Sequence, residues 1–300
     1  MALLLDIASL LLFPGLVFTA AAGVATLWAV RWLGSTEEAG ERVSLGDLAR
    51  RTDELLDLAL HPAPEELDRA SGLLLFGVVA AAAASACLWR YVLFPASDGW
   101  ADLFVLLPLL ATPTIVAFGW GDWFARSKGV GRGRDLLLLV YSGVLLLAFC
   151  VPAVAARSLW LGQVVHPAGR TLPLALSLGG GLAFLVAVGA ATTQLALLDT
   201  VWDECLSLVS GAVQTLLVQL LRASNWFAIV SALTMLYLTL PVPPVVAFVA
   251  ALPGYVVALM LVVAVRSALG RPAARQYVDV GWVPLGLVAL VALVLVAGGL

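Results

Sequence analysis

The chain has 300 residues, of which 62% are hydrophobic and 12% charged, with a formal net charge of −3. Soluble domains carry about 45–50% apolar and about 25% charged residues, and a mean hydropathy of +1.05 leaves more apolar surface than a water-soluble globule can hide. Composition therefore predicts an all-α, polytopic integral membrane protein, with residues 1–300 forming a single transmembrane domain. The basic residues are scattered among loops, which excludes a nucleic-acid footprint.

Three cysteines (Cys87, Cys150, Cys205) stand far apart with no CxxC pair, and His61 and His166 fall in different loops. That pattern argues against a disulfide framework, an iron–sulfur cluster or a histidine-based metal site on this chain. No bound cofactor is expected.

The first apolar run, Leu3–Trp28, has no basic residue ahead of it and is long for a signal-peptide core. It reads as a retained first span with the N-terminus outside. Residues 33–67 are the longest polar interval and predict a cytoplasmic amphipathic helix at the interface, closed by Pro62 and Pro64. Span two covers Ala70–Phe94, where the alanine run favours close helix packing. Span three covers Ala101–Phe124, with Pro108 and Pro113 as kink candidates. RSKGVGRGRD (126–135) lacks the GxxxxGK[ST] pattern and follows no strand, so it is not a phosphate loop. Span four is Leu136–Ala156, and span five runs from Leu172 to about Leu195.

Next comes the stretch that organises the chain, Gln194–Trp226. Asp199, Asp203 and Glu204 arrive together and read as a loop at 199–204. An apolar segment, Cys205–Leu240, follows and carries Ser207, Ser210, Gln214, Gln219 and Arg222. Spacings of three and four place Asp203, Ser207, Ser210 and Gln214 on one helical face. Arg222 lies two turns beyond Gln214 and is the clear midplane charge. Polar groups in hydrocarbon are costly unless they face protein or water. The stripe is thus a solvated helix end, a route for ions or protons, or a docking surface.

Cys205–Leu240 exceeds the roughly 20 residues of a straight crossing. It is one long tilted helix, or two halves broken near residues 222–225. Span seven is Val245–Val265 and span eight Trp282–Leu300. With a single crossing, the inner loops hold Arg31, Arg42, Arg50, Arg51, Arg69, Arg126, Lys128, Arg132, Arg134, Arg266, Arg271 and Arg275, against Arg90, Arg157 and Arg170 outside. A double crossing weakens that positive-inside bias. The expectation is therefore eight spans in the cell membrane, with a long tilted sixth helix and the 199–204 acids facing the cytoplasm.

With that topology the chain resembles the membrane subunit shared by respiratory complex I (NADH dehydrogenase subunit 1) and the energy-converting, membrane-bound [NiFe] hydrogenases and formate hydrogenlyases, the hydrogenase branch most of all. Three patches carry the resemblance. GRGRD (131–135) looks like the family's G-A-S-R-E, with Arg134 and, approximately, Asp135 in place. LLDTVWDECLSLVSG (197–211) looks like D-x-x-E-A-E-x-E-L-x-x-G, with Asp199 and Asp203 for its first acids. AARQYVD (273–279) looks like A-R-L-R-x-D, keeping Arg275 and Asp279. Departures are plain. Cys205 and Ser207 replace family glutamates, Gly143 stands about where a glutamate is expected in span four, and the A-R-x-Q-x-R-x-G-P run is absent.

The resemblance implies a non-catalytic anchor and coupling subunit of a redox-driven, ion-translocating complex. Asp199, Asp203, Glu204, Arg134, Asp135, Arg275 and Asp279 become docking or coupling candidates, with Ser207, Gln214 and Arg222 as intramembrane polar groups. It also implies hydrogenase-like or complex I-like peripheral partners, antiporter-like membrane partners, and a [NiFe] centre and iron–sulfur clusters held by those partners. The competing class is a self-contained transporter or channel, for which an inverted repeat or paired broken helices would be needed. The sequence shows neither, and no HExxH or GxSxG motif points to an intramembrane enzyme.

Overall fold

In hydrocarbon each backbone N–H and C=O must be paired within the protein, which leaves long runs of Leu, Val and Ala little alternative to helix. The computed structural model describes residues 15–38, 69–93, 102–125, 132–166, 172–208, 212–240, 242–269 and 283–299. These form α1 (Leu16–Glu38), α2 (Arg69–Leu93), α3 (Leu103–Ala125), α4 (Arg132–Ala156), a short α5 (Leu161–Val165), α6 (Leu178–Leu208), α7 (Ala212–Leu233), α8 (Pro244–Leu269) and α9 (Val283–Ala297). A π turn, Thr234–Leu238, continues α7. Six helices (α1, α2, α4, α6, α7 and α8) are long and apolar enough to cross a membrane. α3 and α9 contribute shorter apolar stretches, Leu103–Ala117 and Pro284–Ala297. The all-α, polytopic expectation holds, and the eight apolar runs become eight apolar helices among the described residues.

Local chemistry sets several helix starts. Asp102 caps α3 by accepting from Val105 N–H at 2.9 Å, and Ser177 caps α6 by accepting from Gly180 N–H at 3.1 Å. Gly180 admits no side chain, since a Cβ there would sit 2.1 Å from the Leu174 carbonyl oxygen.

The boundaries around the acids differ from the sequence expectation. α6 runs unbroken from Leu178 to Leu208, so residues 199–204 are helix rather than loop, and Leu195 lies in mid-helix. α7 begins at Ala212 and is helical through residues 222–225, with no break there. The expected stripe is divided between two helices. Asp203 and Ser207 belong to α6 and Gln214 to α7, while Ser210 falls outside the described residues. Asp199, which read as part of a solvated loop, is compensated by arginines of two other helices, which removes its need for water. The amphipathic segment lies almost wholly outside the described residues, with α1 continuing through Glu38.

α7 lies against α1 and α2, while α6 lies against α4 and α9. Gly23 lets α1 touch α7: a Cβ there would come within 2.7 Å of the Ala223 backbone. Ala80, Ala81, Ala82, Ala84 and Ala86 of α2 are all buried, as the alanine run predicts. Around α7 the Trp89 ring stacks on Phe227 (6.1 Å, 5° between planes), with Phe18 edge-on to both. Such pairs add about 0.5–1.5 kcal/mol beyond area burial. Trp89 Nε1 donates to Ser231 Oγ at 3.0 Å.

The π turn has a definable role. Pro152 in α4 has no N–H, so the carbonyl of Ala148, four residues earlier, loses its helical donor. Tyr237, within the π turn, donates its hydroxyl to that Ala148 oxygen. The extra residue in the turn of α7 thus presents a donor to the gap that proline opens in α4. Tyr237→Phe should cost about 1–3 kcal/mol by stranding the carbonyl. In a Pro152→Ala background, where the helix regains its own donor, that cost should shrink. Thermal unfolding of the four proteins in detergent tests this, and strictly additive effects would refute the pairing.

Candidate functional site

Asp199 and Asp203 are four residues apart on α6, and Arg222 and Trp226 are four apart on α7, so each pair shares a helical face. Asp199 lies nine residues before the end of α6, and Arg222 ten residues after the start of α7. At 1.5 Å per residue both sit about 14–15 Å from the connection between the two helices. Equal depth on antiparallel neighbours brings the faces together.

The Asp199 carboxylate is the hub. Its Oδ1 accepts from Arg222 Nε at 2.7 Å and from Trp226 Nε1 at 3.2 Å. Its Oδ2 accepts from an Arg266 guanidinium nitrogen at 2.7 Å. Arg222 also donates to Asp203 Oδ1 at 2.8 Å. The Arg266 guanidinium lies over the Trp226 ring, 5.5 Å from its centroid, within cation–π range. Two acids and two bases leave the cluster neutral, as its burial requires.

The cluster is graded in exposure. The Asp199 side chain is 5% exposed and Arg222 11%, while Arg266 is 33% and Asp203 63% exposed. Asp199 and Arg222 form the dry inner pair, and Asp203 is the rim. Arg266 belongs to the last turn of α8, so one carboxylate ties together three helices. Chemically, the assembly can fix the mutual positions of α6, α7 and α8, or relay a charge change at the rim to the interior.

Of the sequence candidates, the structure gathers Asp199, Asp203 and Arg222. Arg222 is therefore an ion-paired residue of this cluster, not an isolated midplane charge. Arg134 and Asp135 lie in the first turn of α4, and Glu204 and Ser207 near the end of α6, Glu204 following Asp203 directly in the chain. Gln214 is half-buried near the start of α7, and Arg275 and Asp279 fall outside the described residues. Sequence reasoning missed Trp226 and treated Arg266 only as a topology marker. The spacing of Arg222 and Trp226, matching that of the two aspartates, is the signal that could have found the indole. Gly143, where the family glutamate is expected, is exposed and has open space around its Cβ position.

A turn or so further in, Gln194 of α6 donates its amide to Thr114 Oγ1 of α3 at 2.8 Å. Among the described residues, nothing donates a hydrogen bond to the buried Gln194 Oε1 and Asn225 Oδ1. Each such group costs about 1–3 kcal/mol if left unpaired.

No family model matches the sequence, and neither does any curated protein. A fold match does exist. The chain is similar to one in the structure of the membrane-bound sulfane sulfur reductase, an archaeal respiratory membrane complex, with a TM-score of 0.65 and 17% identity over 94% of this chain and 96% of that one. At that identity the likeness establishes a shared fold over nearly the full length of both.

Asp199→Asn should destabilise the protein strongly, by about 3–5 kcal/mol, because it strands two guanidiniums against a buried amide. Asp203→Asn, at the exposed rim, should cost about 0–1 kcal/mol. Comparable melting temperatures for the two variants would show that Asp199 is not the hub.

Proposed function

We propose that the chain is the non-catalytic membrane subunit of a redox-driven, ion-translocating complex of the complex I and membrane-bound hydrogenase kind. The observation that carries this reading is the near full-length fold likeness to a chain of a respiratory membrane complex. The three short patches that resemble the NADH dehydrogenase subunit 1 and hydrogenase branch support the finer assignment. In this role the chain anchors a hydrophilic redox arm and links it to antiporter-like membrane subunits. The redox groups, a [NiFe] centre or iron–sulfur clusters, belong to the arm, since the cysteines and histidines here are isolated in sequence. The Asp199–Arg222–Arg266–Asp203 cluster is the coupling element. In this reading its exposed acid faces the peripheral subunit, and its buried Asp199 joins three helices.

Two experiments test the proposal. Mild-detergent purification of the tagged chain from its native host should recover an iron–sulfur partner; a lone, stable oligomer would instead favour the self-contained transporter. In the same complex, Asp203→Asn should impair coupled activity more than Glu37→Gln, and equal effects would remove the acids from the coupling role. Orientation is open to a separate measurement. A cysteine placed within residues 209–211 should react with impermeant maleimide from the cytoplasmic side, and labelling only from the opposite side would invert the docking picture.

A further inference from the structure

Just inward of the ion pairs, α3, α6 and α7 bring together amide and hydroxyl groups whose hydrogen-bonding capacity the protein does not use up. Gln194 and Thr114 are bonded to each other, and both are at least 98% buried. The Thr114 hydroxyl accepts from Gln194 and still has its own proton to give. Gln194 Oε1 and Asn225 Oδ1 are acceptors to which no described residue donates. Exchanging the two ends of the Gln194 amide alters which atom meets Thr114 but still leaves one atom unpaired.

Helix geometry sets these groups at neighbouring heights. Asp199 bonds both Arg222 and Trp226, which fixes the register of α6 against α7. Gln194 is five residues before Asp199, about 7.5 Å further along α6, and so lies roughly a turn beyond Asn225. At about 100° per residue, Asn225 projects between the directions of Arg222, which faces α6, and Leu221. Leu221 faces α2, lying against the Gly77 position. Asn225 therefore points into the wedge between α2 and α6, and α3 packs against both of those helices. Pro113 lies one residue before Thr114, and it frees the carbonyl of Leu109 as a further acceptor in this part of α3.

We propose that this wedge is an internal water-binding site. One or two water molecules donate to Gln194 Oε1 and Asn225 Oδ1 and accept from the Thr114 hydroxyl. Buried water characteristically makes about three such bonds, and the donors and acceptors here match that demand in number and kind. The water extends the polar interior from the Asp199–Arg222 pair toward α3, independently of which complex the chain serves.

Radiolytic hydroxyl-radical footprinting of the full chain in nanodiscs tests this, because radicals form from bound water beside buried side chains. Leu195, next to Gln194 in the chain, and Leu221, one helical turn before Asn225, should be oxidised well above Leu88 and Leu106, although all four are at most 1% exposed. Equal, background labelling of the four would overturn the proposal. A second readout uses stability. Asn225→Leu should lower Tm by about 2–4 °C by removing one of the water's partners. The triple change Thr114→Val, Gln194→Leu, Asn225→Leu should recover much of that loss by making the wedge uniformly apolar. A rise in Tm for Asn225→Leu alone would mean that the wedge is dry.

Discussion

A carboxylate held inside a helix bundle by two guanidiniums and an indole is the constraint on which the rest of this structure depends. Removing a charge from water costs several kcal/mol even after relaxation, so Asp199 can stay buried only with its full set of donors. Those donors come from α7 and from the end of α8. Apolar faces in lipid slide past one another with little penalty, because lipid tails are as apolar as leucine. Charge pairing does not tolerate sliding. The register of α6, α7 and α8 is consequently fixed by electrostatics, and the alanine, glycine and aromatic contacts around α7 then fit within that register.

A second irregularity lies further along α7. From Arg222 to the π turn is about 14 residues, or roughly 21 Å. There Tyr237 meets the carbonyl freed by Pro152, and the Gly254 position, beside Pro253, approaches Thr234 and Leu238. Interrupted backbone from α4, α7 and α8 therefore meets at one level. The charged cluster occupies another level on two of the same helices. π turns and proline kinks are the places where helices bend. A helix pinned by charge at one level and irregular at the other has a stiff end and a compliant end.

Much of the architecture was legible in the sequence because hydropathy acts locally: each apolar run is long enough to declare itself, and eight runs became eight apolar helices. The alanine packing of α2 was legible for the same reason. The site was only half legible. Asp199, Asp203 and Glu204 resemble a solvated loop when read in isolation, and the feature that makes them helical lies elsewhere. The partners of Asp199 are 23, 27 and 67 residues away in the chain, beyond the reach of any periodicity. Trp226 looked like one more aromatic of a membrane helix, and Arg266 like one more inner-loop base. The pairing of Tyr237 with Ala148 had no sequence signal, since a π turn depends on the tertiary demand created by Pro152.

The order of these residues along the chain has a consequence for biogenesis. α7 has the lowest mean hydropathy of the six long spans, 1.4, and it carries Arg222 within it. An arginine at the centre of an isolated span costs about 2.5–3.5 kcal/mol on insertion scales. Asp199 precedes it by 23 residues on α6, so the translocon receives the acid before the base. The two can leave it as an antiparallel hairpin that is already partly neutralised. Arg266 arrives last and completes the cluster once α8 has entered. Synthesis from N- to C-terminus thus presents each of the two arginines to a carboxylate that is already waiting in the bilayer.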